Sequence, residues 1–229
     1  MDVVLEIGKH HVKIGTVGDV DPIVIPIKFD FVGDSKFIKD HSLTKEQTDI
    51  IESQLNAEYQ QKQQEYYKSL GTWLDIENAS PYLLQQIIHN ALGELPVSIK
   101  RCFVVDHQFS EKVKQSITSI LFKYRVKSIV FLPASILYVL GMNKRDALLV
   151  NHDYNTIHKV IDLREIGIYD DSEDTESIIR KSDLDIRQLL RENVMSTTDS
   201  VGCWTASSIY VANVTTDHWL EITKDNIFV

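Results

Sequence analysis

Cysteine is almost missing from this 229-residue chain. Cys102 and Cys203 lie far apart with no CxxC spacing, which excludes a disulfide framework and a cysteine-based zinc site. Both have apolar neighbours, which favours packing over thiolate chemistry, and the compartment expected from this usage is reducing. Proline (five) and glycine (nine) are scarce, and no internal repeat or low-complexity linker marks a boundary. Cations are short as well: 24 Lys+Arg stand against 33 Asp+Glu, a net charge of −9. The scattered Lys and Arg argue against a nucleic-acid partner, whose phosphates need clustered positive charge. No apolar run approaches the roughly 18 residues of a membrane span. The opening residues lack the basic start of a signal peptide, so a cytosolic or nuclear protein without a membrane partner is expected. There is no GxSxG, HExxH or HxxxH, which leaves hydrolase and histidine-metal mechanisms without a foothold.

What is present is a globular composition, 43% hydrophobic and 25% charged, in a length that suits one large or two small domains. Alternation predicts strands at 3–7, 11–15 and 23–27, with a tight turn at Gly8-Lys9-His10 and breaks at Gly18-Asp19 and Asp21-Pro22. Between 44 and 70 the period becomes helical and six glutamines make the surface polar, as in a long exposed helix or a partner-binding one. Ser80-Pro81 reads as an N-cap followed by Pro at N1, opening a helix that stops at Leu92-Gly93. Beyond Pro96 the pattern is β/α. Strands are predicted at 101–105, 128–132, 147–150 and 156–163, and helices at 110–124 and 133–141. Residues 169–176 read as a solvated acidic loop entering a helix near Ser177; they lack the glycine and final glutamate of a calcium loop. Helices are predicted around 184–193, 204–214 and 217–220, with 225–229 extended. Alternating strands and helices imply a mixed sheet with crossovers, the α/β class.

Of the eight histidines, His10 and His11 are neighbours by a strand and point to opposite faces, and the others are isolated. Two strand–turn–strand segments, 5–15 and 149–158, are the remaining chemical feature. One lies in each half of the chain with β/α crossovers between them. Backbone N–H groups at such turns can hold phosphates from both sides while a carboxylate at the strand end positions a metal's water.

With those segments in place the sequence resembles actin and the actin-related proteins. The first strand with Gly8, Lys13, Gly15, Gly18-Asp19 and Pro22 looks like the first phosphate loop and its hairpin. Leu121-Phe122-Lys123-Tyr124 through Pro133-Ala134-Ser135, then Leu140-Gly141 and 147–151, looks like the approach to the second. The run Asp185-Ile186-Arg187-Gln188-Leu189-Leu190-Arg191-Glu192-Asn193 is similar to the segment before the third nucleotide loop. Gly202-Cys203-Trp204 with Ser207-Ser208-Ile209, Trp219 and Thr223-Lys224-Asp225 looks like the C-terminal helices. The resemblance implies a truncated actin-like (ribonuclease H-like) α/β fold, mixed sheets flanked by helices with the outer subdomain largely deleted. Residues 1–132 form its first half, with a helical insertion near 45–70. Residues 133–229 form a reduced second half plus C-terminal helices that return to the first.

The departures from that pattern shape the expected function. By the resemblance, Glu6, Gly8, Lys9, His10 and Lys13 occupy the first phosphate loop, and Asn151, His152, Asp153, Tyr154 and Asn155 the second. Glu6 replaces an aspartate, Lys9 and His10 replace small residues, and the second loop keeps neither its glycines nor its acids at matching positions. Ala134 stands where the family places the glutamine that orients the attacking water. Without glycine the second loop loses close backbone approach and positive φ, and Asp153 brings like charge to a phosphate. Only fifteen residues separate Ile168 from Leu184 where the family carries an outer subdomain, and the glycine-rich adenosine loop is missing between Val194 and Val201. The implication is a pseudo-ATPase with no catalytic residue, no cofactor and no metal. Within the family the chain is most similar to the divergent pointed-end actin-related subunit of dynactin in its reduced fungal form. That likeness implies a cytoplasmic, cytoskeletal filament cap partnered by actin-related filament subunits and other pointed-end dynactin subunits. An actin-related structural subunit of a nuclear chromatin-remodelling complex is the alternative, and an ATP-dependent enzyme of the sugar-kinase/actin superfamily a third.

Overall fold

The computed structural model describes residues 1–27, 74–95, 98–170, 172–213 and 222–223; the elements expected at 44–70, 217–220 and 225–229 lie outside these. The first sheet begins with the predicted meander: β1 (Asp2–Ile7), β2 (His11–Thr16) and β3 (Ile23–Pro26), each antiparallel to the last. On the other side of β1 run β4 (Arg101–Asp106) and β5 (Ser128–Pro133), both parallel to it, with β10 (Ile222–Thr223) antiparallel at the far edge. The order is β10-β5-β4-β1-β2-β3. A second sheet, ordered β8-β7-β6-β9, is built from β6 (Ala147–Asn151), β7 (Thr156–Ile161), β8 (Arg164–Asp170) and β9 (Val194–Ser196).

Alternation along β1 sorts its side chains between two cores. Val3, Leu5 and Ile7 enter a core roofed by α1 (Pro81–Gly93) and α2 (Glu111–Lys123), while Val4 enters another on the opposite face. Both roofing helices start at serine caps: Ser80 accepts from the Leu83 N–H and Ser110 from the Val113 N–H. The opposite core joins Val4, Phe103, Val105 and Leu132 to α3 (Ala134–Gly141) and α6 (Cys203–Asn213), and Leu149 of the second sheet closes it. On the far side of the second sheet, α4 (Thr175–Lys181) and α5 (Leu184–Glu192) bring Ile178, Ile179 and Leu190 against Leu148 and Ile157. The result is helices, sheet, helices, sheet, helices, the α/β class with mixed sheets that the sequence predicts.

Three details depart from the sequence reading. The strand expected over 156–163 stops at Ile161, because Asp162 and Leu163 both take left-handed φ, 48° and 57°, and turn the chain into β8. A leucine at positive φ carries no turn signal, so β8 went unpredicted. It also claims Asp170, assigned to the acidic loop, and α4 begins at Thr175 behind an Asp174 cap. Finally β9 and one 3-10 turn, Thr197–Asp199, are too short to leave a period.

Candidate functional site

The two hairpins meet between the sheets, beyond the carboxyl ends of β1, β4 and β5, where α/β folds place ligands. Strand register supplies the first-sheet groups. Glu6 shares the inward face of Val4 and is the cross-strand partner of Lys13, whose Nζ lies 3.4 Å from Glu6 Oε2. His107 follows β4 and sets Nε2 3.6 Å from Glu6 Oε1, beyond hydrogen-bond reach but within ion-pair range. Burial pushes the Glu6 carboxyl up, but His107 and Lys13 outweigh it and hold the pKa below its ordinary value of 4.5.

The second hairpin fills the space in front of this carboxylate. The Tyr154 ring stacks on His107 with centroids 5.1 Å apart and planes at 15°. Lys9 reaches across from the first hairpin, donates to the Asp153 carbonyl, and places Nζ 4.9 Å from the Tyr154 ring centre. Burial, then the charges of Glu6 and Asp153, push the Tyr154 phenol up, so it stays neutral. The stacked pair is a partition. A cavity of about 200 Å³ on one side contacts Glu6, Lys9 and Lys13, one of about 230 Å³ on the other contacts Asp106, Ser135 and Thr156, and Tyr154 and His107 line both. Each is smaller than the roughly 300–1,000 Å³ of pockets that engulf a mid-sized ligand.

The wall of the second cavity carries a hydrogen-bond chain that sequence reasoning did not find. His158 is buried on β7, with Nε2 2.8 Å from Thr156 Oγ1 and Nδ1 2.7 Å from Glu165 Oε2. Gln108 Nε2 approaches the same Nδ1 at 3.3 Å. Burial raises the Glu165 carboxyl pKa, but the His158 hydrogen bond prevails and leaves it lowered. Thr156 and His158 sit two residues apart, a strand spacing visible in the sequence, but Glu165 belongs to the unpredicted strand. Beside the chain Ser135 Oγ is buried with no hydrogen-bond partner among the described residues, and both ring nitrogens of His107 share that state.

The structure thus brings Glu6, Gly8, Lys9 and Lys13 together with Asp153 and Tyr154 around one cavity, which the exposed His10 and His11 also line. Asn151 serves the second loop internally, its Oδ1 accepting from the Asp153 N–H. One expectation is corrected. Asn155 adopts φ 53°, so the loop keeps a left-handed position without glycine, as asparagine tolerates. Side chains stand between the two hairpins: Lys9 lies over the Tyr154 ring, which stacks on His107. Both cysteines are buried, and burial pushes the Cys102 thiol up to about 12. A nucleoside triphosphate with its metal does not fit this arrangement: the carboxylate that would hold the metal's water is shared by Lys13 and His107, and the tyrosine divides the cleft.

No family model matches the sequence, and no curated protein matches it. Among solved structures similar to this one is human actin-related protein Arp8 in its ATP-bound state, at 14% identity and a TM-score of 0.45. That match covers 72% of this chain and 50% of the other, so the chain spans about half of the protein it is compared with.

Proposed function

We propose that this chain is a non-catalytic actin-related protein that caps the pointed end of dynactin's actin-related filament. Its partners are filament subunits and the other pointed-end dynactin subunits, in the cytoplasm, where it supports dynein-dependent transport and nuclear migration. The observation that carries the reading is the self-filled cleft: Tyr154, His107 and Lys9 occupy the meeting point of the two hairpins that the resemblance assigns to phosphate. A subunit whose hairpins are held together by its own side chains needs no nucleotide to fix their separation. It also has no hydrolysis step with which to alter its ends. Head-to-tail growth stops when the terminal subunit does not offer the next binding surface, which is what a cap requires.

Affinity purification of the tagged chain tests the assignment. Recovery of actin-related filament and pointed-end dynactin subunits is the expected outcome. Recovery of chromatin-remodelling ATPases without dynactin would overturn it in favour of a nuclear complex. Heat denaturation of the purified protein followed by chromatography of the supernatant should release no ATP or ADP, and stoichiometric nucleotide would sink the pseudo-ATPase reading.

A further inference from the structure

The sequence spreads its cations along the chain, and the fold gathers four of them at one pole of the first sheet. Acids make up 33 of the 229 residues, yet none lies from Lys112 to Arg145 or from Leu95 to Val105. These two acid-free stretches meet at the leading ends of β4 and β5, the pole opposite the cleft, where the N–H groups of Lys127 and Ser128 both donate to the Lys100 carbonyl, at 3.0 and 3.2 Å. Register carried one residue back from Arg101 and Ser128 sets Lys100 beside Lys127, about 5 Å away at the strand spacing. Alternation gives both the parity of Cys102 and Ile129, which enter the core under α1 and α2, so they share the face on which α2 ends at Lys123. Arg125 lies in the loop from α2 to β5. All four are exposed, and none forms an ion pair with an acid among the described residues.

Unpaired cations occur elsewhere on the surface, but two features set this group apart. Lys100 and Lys127 are like charges at neighbouring strand positions, an arrangement that costs stability. Arg125, the second residue after α2, turns the chain at φ 64°, in the left-handed region where glycine or asparagine is favoured. The helix dipole accounts for Lys123 in the last turn of α2, but not for a lysine ahead of each strand. A bound anion offsets these costs. Its class follows from what surrounds the group. No large apolar side chain is exposed among residues 98–101 or 122–128, so nothing there would enter a membrane. A net charge of −9 repels a long polyanion such as nucleic acid, which leaves a short acidic segment as the complement.

We propose that this pole docks a short acidic segment of a partner protein, whose carboxylates meet Lys100, Lys123, Arg125 and Lys127. The proposal stands apart from the cap assignment, and either can fail alone. The test is fluorescence anisotropy of the full chain with a labelled glutamate-rich peptide, beside the same peptide with lysines. The wild type should bind the glutamate peptide, more weakly as salt rises, and ignore the lysine peptide. K100E/R125E/K127E should weaken binding by about tenfold or more, whereas K112E/K144E/R164E, the same charge change at exposed cations elsewhere, should stay within about threefold of wild type. K100E alone turns a like-charge pair into an opposite one and should raise the melting temperature by about 1–3 °C, which separates lost docking from lost folding. No binding of the glutamate peptide, equal losses in the two triple variants, or tighter binding to phosphatidylserine vesicles or single-stranded DNA than to the peptide would overturn the proposal.

Discussion

Tyr154 is the side chain on which the cleft depends. Its ring stacks on His107, takes the Lys9 ammonium on its edge of the cleft, and divides one space into two. Tyr154→Ala should lower stability by about 2–3 kcal/mol in urea titration, from lost burial and stacking, whereas Tyr154→Phe, which keeps the ring, should stay close to wild type. Glu6 sets a pH dependence of known sign. Its folded pKa lies below 4.5, so the folded chain binds this proton less readily than the unfolded chain. The contribution is complete above about pH 5 and is lost as pH falls through 4.5 and below. Glu6→Gln should flatten the acid limb of a stability–pH curve; an unchanged limb would assign it to other carboxylates. At Gly15 the limit is space. An added Cβ would stand 2.7 Å from Trp204 Cζ2, and Trp204 is fully buried with its Nε1 donating to the Val4 carbonyl at 3.0 Å. Gly15→Ala should therefore cost about 1–3 kcal/mol and shift the tryptophan emission.

At the scale of elements, α6 ties the opening meander to the rest of the molecule. Ser208 donates to the Asp19 carbonyl at 2.7 Å and accepts from the Gly18 N–H at 2.9 Å, where Gly18 turns at φ 99°. Ser208→Ala leaves those groups without their partner. It should cost about 1–3 kcal/mol and raise hydrogen exchange selectively at the turn after β2. Elements with a clean period or a side-chain cap were legible in the sequence: the meander, α1 behind Ser80-Pro81, and α2 from the spacing of Val113, Ile117, Ile120 and Leu121. The sequence missed β8 because Asp162-Leu163 makes a tight turn in residues that do not advertise one. With β8 missing, the His158–Glu165 pair was beyond reach, since its carboxylate arrives from that strand. His107 read as one isolated histidine among several until the tertiary fold set it between Glu6 and Tyr154.

For the whole molecule, the two sheets communicate through α3 and α6 and through the contact of the hairpins. A cleft closed by side chains should not respond to nucleotide: millimolar Mg-ATP should leave the melting temperature unchanged. A site filled at 100 times its Kd would add about 2.7 kcal/mol, so a rise on that scale would refute the self-filled cleft. The linear sequence determined the mixed α/β class, most strand and helix positions, and the two hairpin loops, because periodicity and capping are local properties of neighbouring residues. It also contained Lys9 and His10 in the first hairpin turn and Tyr154 in the second. What it could not contain was the consequence. Whether those bulky residues point to solvent or into the cleft depends on how two hairpins about 145 residues apart in sequence are brought face to face, and long-range packing alone decides that. Tertiary structure decided that Lys9 reaches the Asp153 carbonyl and that Tyr154 stacks on His107, because both contacts join segments that are distant along the chain.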